Sequence, residues 1–103
     1  ALRKAGVAVA AGADNLQDPF NPMGRACPFE TAALMVLAAH DLPAIAWRSV
    51  SEDASRVLGR GGGVLAPGAV GDLLMVQANT LRQAIAEGPS GRRVFRHGTE
   101  VTA

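Results

Sequence analysis

An α/β fold is predicted for this sequence on three observations. Val7 to Ala11 is a continuous apolar run, Pro28 to Gly59 carries helical patterns, and the second half is rich in turns separating short β-type segments. The run Val7, Ala8, Val9, Ala10, Ala11 shows no polar alternation, which is how a strand buried on both faces of a parallel sheet reads. Gly6 and Gly12 bracket it closely and favour a strand over a short helix.

A loop of roughly ten or more residues follows, longer than most connections in compact domains, and such loops are usually functional or disordered. Asp18-Pro19 and Asn21-Pro22 stiffen this one, which argues against disorder. "PFETAALMVLAAH" then reads as a helix from Pro28 to His40, with proline suited to its first turn and Phe29, Ala33, Val36, Leu37 and His40 on one stripe. "DLPAIAWRSV" predicts a second helix started by Pro43. Ser51 is placed to cap a third, "SEDASRVLG", whose early Glu52 and Asp53 suit the positive helix end and whose Gly59 suits the exit.

Beyond "GRGGG", read as a flexible connector because it lacks the Gly-Lys-Ser/Thr ending of a phosphate loop, Pro67-Gly68 makes a turn and Leu73 to Gln77 a strand. "NTLRQAIAEG" predicts a short helix closed by Gly88, and "RRVFRHGTEV" a hairpin turning near His97-Gly98. Trp47, Met35 and Met75 are expected in the core. No internal repeat or low-complexity tract is present.

The chain has 103 residues, 49% of them apolar, and a formal net charge of +1, enough for one compact core. That balance gives no general basic field, and the local cluster Arg92, Arg93, Arg96 and His97 is short, so no nucleic-acid partner is expected. Cys27 is the only cysteine; no disulfide can form within the chain, and a reducing, cytoplasmic setting is expected. No apolar run approaches the ~20 residues needed to span a bilayer, so no membrane partner is expected either. The first residue is not Met and the chain enters a buried-type segment almost at once, from which we expect a piece of a longer protein.

Few residues offer chemistry. Asp14 follows the apolar run, where acids commonly satisfy loop amides; yet in parallel α/β architectures reactive groups are placed at the carboxyl ends of strands. Asp18 precedes proline and reads as the cap of the turn that follows. Asn15 and Gln17 carry both donors and acceptors, as a pocket reading a polar ring needs, but ordinary loop amides look the same. His40 and His97 read as structural, and neither belongs to a His-x-His or His-Glu-x-x-His pair. Cys27 lies near a helix start without a neighbouring histidine to act as its base, and reads as an inert thiol.

"GADNLQDPFNPMG" resembles the loop after the eighth strand in cytosine deaminase-like members of the amidohydrolase superfamily, where a Gly-x-Asp-Asp/Asn-x-x-Asp-Pro-aromatic pattern recurs. "SEDASRVLG", "GVLAPGAVGDLLMV" and "FRHGTEV" resemble the helix, the turn with its strand, and the closing hairpin that follow in that family, so the likeness covers essentially the whole chain.

The resemblance implies the C-terminal part of a (β/α)8 metal-dependent hydrolase barrel, strand 8 and its following helices, plus strands of a small β-sandwich domain. Residues 1–60 would be barrel and 61–103 the composite β domain. It places Asp14 on the family's metal-ligating aspartate, which also shuttles a proton; a divalent Zn or Fe lowers the pKa of bound water towards ~7 for attack on the carbon that loses ammonia. Asn15 falls where cytosine deaminase has a second acid near the substrate, Phe20 on an aromatic that lines the pocket, and Gln17 near the same pocket.

The substrate so implied is a small nitrogen heterocycle, though Asn15 argues against cytosine itself. The family's His-x-His ligands, further metal histidine and catalytic Glu and His have no counterpart here. This segment alone is therefore expected to hold no metal and turn over nothing. Its expected partners are the missing N-terminal barrel segment or another chain, with a homo-oligomer as one such assembly. Two alternatives stand beside this reading: a non-catalytic α+β interaction module or remnant that pairs through exposed strand edges, and a related amidohydrolase that cleaves an acyclic N-acyl bond. The enzymatic reading also requires the Asp14 carboxylate to lie at a rim and the segment before it not to be a surface helix.

Overall fold

The computed structural model describes residues 1–101, so the last two residues of the 61–103 segment lie outside the description. Four helices and a three-stranded antiparallel sheet are formed: α1 Pro28–Ala38, α2 Pro43–Val50, α3 Glu52–Val57, β1 Leu73–Met75, α4 Leu81–Glu87, β2 Arg93–Arg96 and β3 Thr99–Val101. A 3-10 turn, Arg3–Ala5, precedes them.

Val7 to Ala11 does not form the expected strand. A strand exists only through a ladder, and among the described residues no other strand runs beside this segment. Val7 is 49% exposed, Val9 is half-buried, and the segment is anchored at its end by the Ala11 N–H, which donates to the Ser49 carbonyl at 2.9 Å. The chain before it is fixed by Arg3. Its Nη1 donates to both carboxylate oxygens of Asp41 at 3.0 Å, and its Nη2 to Ser49 Oγ at 2.5 Å.

Helix α1 starts as expected, with Pro28 in its first turn, but ends at Ala38 rather than His40. His40 takes a left-handed φ of 55°, and the Met35 carbonyl accepts from both Ala39 and Asp41 N–H, which closes the helix. The buried face is Phe29 and Ala32, backed by Ala33, Met35 and Val36. Leu34 and Leu37, three residues apart, make an outer stripe instead, and Leu37 and His40 are exposed. Helix α2 begins at Pro43 and buries Ala46 and Ser49.

Ser51 does not cap α3 with its side chain. Its Oγ donates back to the Trp47 carbonyl at 2.7 Å, because α2 ends directly where α3 begins. The early acids of α3 act instead through arginines: buried Asp53 accepts from Arg48 at 3.2 Å and Arg56 at 3.4 Å. Gly59 leaves the helix at a φ of 67°.

The core is one cluster, Phe29, Ala32, Ala46, Ala84 and Ile85, which joins α1, α2 and α4 across both halves of the chain. Trp47, Val50, Val76 and Ala78 pack around it. Helix α4 carries a full set of end signals. Thr80 Oγ1 accepts from Gln83 N–H, Gln83 Oε1 accepts from Asn79 N–H, and Gly88 closes the helix at a φ of 54°.

In the sheet, ordered β1-β2-β3, Leu73 pairs with Phe95 and Phe95 with Glu100. The β2–β3 turn is His97-Gly98, both with positive φ (50° and 79°), as a tight hairpin needs. Strand β1 stops at Met75 instead of Gln77, and Met75 is 51% exposed rather than in the core. Leu73, Leu74, Val94 and Val101 are exposed as well.

Candidate functional site

The loop between Ala11 and α1 is built around Asp18. Its Oδ1 accepts from the Phe20 N–H at 3.0 Å and the Asn21 N–H at 2.9 Å, while its Oδ2 accepts from Asn15 Nδ2 at 2.5 Å. The expected turn cap is therefore present, and the same carboxylate also holds Asn15. The Asn15 side chain and then the Asn21 N–H keep the Asp18 carboxyl below its ordinary range, against desolvation, with a lesser contribution from the Phe20 N–H. Gly24 is buried beneath this loop: a Cβ there would collide with the Asn15 carbonyl oxygen, so only glycine lets the two backbone stretches meet.

Asp14 is exposed, and among the described residues its carboxylate accepts no hydrogen bond. It lines an open hollow of about 170 Å³ with Gly12, Asn15, Asn21, Arg25, Glu30 and Thr31. Asp14 thus lies on the lip of an open hollow, and the segment before it is not helical. Asp14 and Asn15 share this hollow; Gln17 and Phe20 do not line it. Gln17 is exposed with a left-handed φ of 51°, and Phe20 is 88% exposed.

The lining also includes Glu30 and Arg25, which the sequence pattern did not single out. Glu30, in the first turn of α1, accepts from the Arg25 N–H at 3.1 Å and pairs with Arg25 Nε at 3.5 Å. An acid three residues after a helix-capping position is the signal that marks Glu30 in the sequence. Nothing local marks Arg25.

Cys27 occupies the cap position of α1, and Arg92 reaches it from across the fold, its Nη2 lying 3.3 Å from Sγ. The Arg92 guanidinium also sits 4.8 Å from the Phe29 ring centroid and donates to the Pro89 and Gly88 carbonyls. Desolvation pushes the Cys27 thiol up, but the Glu30 N–H and then Arg92 outweigh it, so the thiol lies below its ordinary value. The helix start was visible in the sequence, whereas the Arg92 contribution was not, because Arg92 is 65 residues away.

For a metal, the described residues supply one free carboxylate, that of Asp14. Among them there is no group of three or more His, Cys, Asp or Glu able to hold an ion. On their own they do not fit a metal centre. No helix of the described residues is long and apolar enough to cross a membrane.

No family model and no curated protein sequence matches the chain. A solved structure does: the crystal structure of N-isopropylammelide isopropylaminohydrolase from Burkholderia multivorans is similar at a TM-score of 0.85 and 32% identity. The match covers 96% of this chain and 26% of that one, so the chain spans about a quarter of the length of its neighbour.

Proposed function

We propose that this chain is the C-terminal part of an amidohydrolase-type enzyme that hydrolyses a C–N bond of a nitrogen heterocycle. The observation that carries this reading is the similarity, along 96% of the chain, to an enzyme named as an aminohydrolase of N-isopropylammelide. In this reading residues 1–60 complete a (β/α)8 barrel and residues 61–103 belong to a small β domain. The many exposed apolar side chains, among them Val7, Leu34, Leu37 and Leu74, fit such a piece, because large apolar patches mark surfaces that another segment covers.

Asp14 is the residue assigned to chemistry. Its carboxylate accepts no hydrogen bond among the described residues, and it would hold a divalent Zn or Fe through one oxygen only if further ligands came from outside these residues. The ion, when bound, supplies Lewis acidity for hydrolysis. At its own oxygen Asp14 takes a proton from the attacking water and returns it to the departing amine nitrogen. Asn15, on the wall of the same hollow, orients the ring; Gln17 and Phe20 contribute only if the exposed loop tip folds over the substrate.

The test uses the complete protein that carries this sequence. Its metal content is measured, and turnover is followed on pyrimidines, aminated triazines and N-acyl amino acids. Stoichiometric metal with release of an amine from a heterocycle is expected, and Asp14→Ala lowers kcat by roughly 10²–10⁴-fold. A metal-free protein inactive on the whole panel overturns the proposal and leaves the interaction-module reading, which the same exposed apolar residues favour.

A further inference from the structure

We infer that Asp18 sets the polarity of the candidate site by fixing which end of the Asn15 amide faces a ligand, so that the hollow beside Asp14 selects ring edges that donate a hydrogen bond. The inference rests on the proposed function, since it assumes that this hollow receives a heterocycle.

A primary amide has a donor end and an acceptor end of nearly equal size, and which is presented depends on its partners. Asn15 has one partner of unambiguous character. Ionised Asp18 can only accept, its Oδ2 lies 2.5 Å from the Asn15 amide, and its carboxyl is held below the ordinary range. The NH2 end must therefore turn to Asp18 at neutral pH. Asp18 cannot swing away to relax this, because its other oxygen is held by the Phe20 and Asn21 N–H groups.

The acceptor end is what remains. Asn15 Oδ1 takes no hydrogen bond among the described residues, and it is not sealed off, since the one described side-chain polar atom buried without a partner is Arg3 Nε. Asn15 lines the hollow that Asp14 also lines. A ring N–H or amino group reaching Oδ1 completes its hydrogen bonding, whereas a ring presenting only lone pairs sets acceptor against acceptor. Asp18 is thus a positioning residue acting through Asn15, not a catalytic residue.

The substitution Asp18→Asn separates this role from simple loop support. The new side-chain oxygen can keep the Phe20 and Asn21 N–H bonds, but the new NH2 faces Asn15, which then turns its own oxygen inward and its NH2 outward. Binding of melamine, whose amino groups donate at every edge, and of trimethoxytriazine, which only accepts, is measured by calorimetry on the complete protein. The native protein is expected to favour melamine by about tenfold, the size of one neutral hydrogen bond. In Asp18→Asn, trimethoxytriazine gains about tenfold, an increase that loop damage cannot produce.

Equal binding of the two rings by the native protein, no binding of either, or no gain in Asp18→Asn overturns the inference. Asp18→Ala is the second variant: loss of the native preference without a gain for trimethoxytriazine supports the inference, and an unchanged preference overturns it. Discrimination in binding with no turnover of any heterocycle overturns the hydrolase reading while sustaining this one.

Discussion

Phe29 and Trp47 stack with ring centroids 4.8 Å apart and planes inclined by 26°, and this pair joins α1 to α2 at the centre of the fold. Phe29 is 2% exposed and carries the Arg92 guanidinium on its ring. One aromatic side chain therefore supports the helices and the residue that reaches Cys27.

Replacing it should be costly. Phe29→Ala is expected to lose about 3–5 kcal/mol of stability, the usual range for deleting a buried phenyl ring. A cycle with Trp47→Ala should show a coupling of about 0.5–1.5 kcal/mol. Chemical denaturation measures both, and a loss below about 1 kcal/mol for Phe29→Ala would place the core elsewhere.

The Asp18 carboxyl should titrate below 3.8, as followed by the NMR shift of its carboxyl carbon. Because its folded value is depressed, its contribution to stability is fully present above 3.8 and is lost as pH falls through the lower folded value. Asn15→Ala removes the largest cause of the shift and should move the midpoint back toward 3.8. An unmoved midpoint would show that Asn15 does not hold Asp18.

For Cys27, alkylation rate against pH should show a midpoint below 9.0. The sign is again that of a depressed acid: the contribution of the thiolate to stability is complete above 9.0 and disappears as pH falls through the folded value. Arg92→Met should raise the midpoint, since it removes a cation 3.3 Å from sulfur and leaves the helix amides in place. A midpoint at or above 9.0 in the native chain would contradict the geometry.

Gly24→Ala should disturb the Asp14 loop through steric contact alone, since Gly24 is not among the glycines with positive φ. The added Cβ meets backbone, the Asn15 carbonyl, which cannot rotate aside. A cost of about 1–3 kcal/mol is expected, together with a change in the Asp18 titration. Gly91→Ala is the control: nothing lies within 4 Å of its Cβ, so denaturation should report a change within about 0.5 kcal/mol.

What could be read from the sequence follows the range of the interactions. Pro28 and Pro43 start helices because proline at a first turn is a local matter, and Gly88 and His97-Gly98 turn the chain because only their own backbone has to agree. The Asp18 turn was legible for the same reason. Val7 to Ala11 forms no strand among the described residues because alternation and composition describe a strand's burial, whereas its existence depends on a neighbour that these residues do not contain. Leu37 was placed by spacing on the stripe of Phe29, but the packing of α4 on α1 and α2 chose a different face, and Met75, expected in the core, lies exposed on β1. In the candidate site, Asp14 and Asn15 were found by pattern, and the hold of Asp18 on Asn15 was not, since an aspartate before proline already had a sufficient explanation in the turn. Arg92 beside Cys27, and Arg48 and Arg56 beside Asp53, join elements whose approach no local pattern encodes.

The grip of Arg3 on Asp41 and Ser49, with the Ala11 N–H fastened to the same serine, stretches the intervening chain like a cord pegged at either end. Between the pegs, Ala8, Val9 and Ala10 donate no backbone hydrogen bond among the described residues. Stillness and shelter from deuterium uptake, which usually go together, should part company there: these amides would exchange about as fast as those of a free peptide while their carbons scarcely wander.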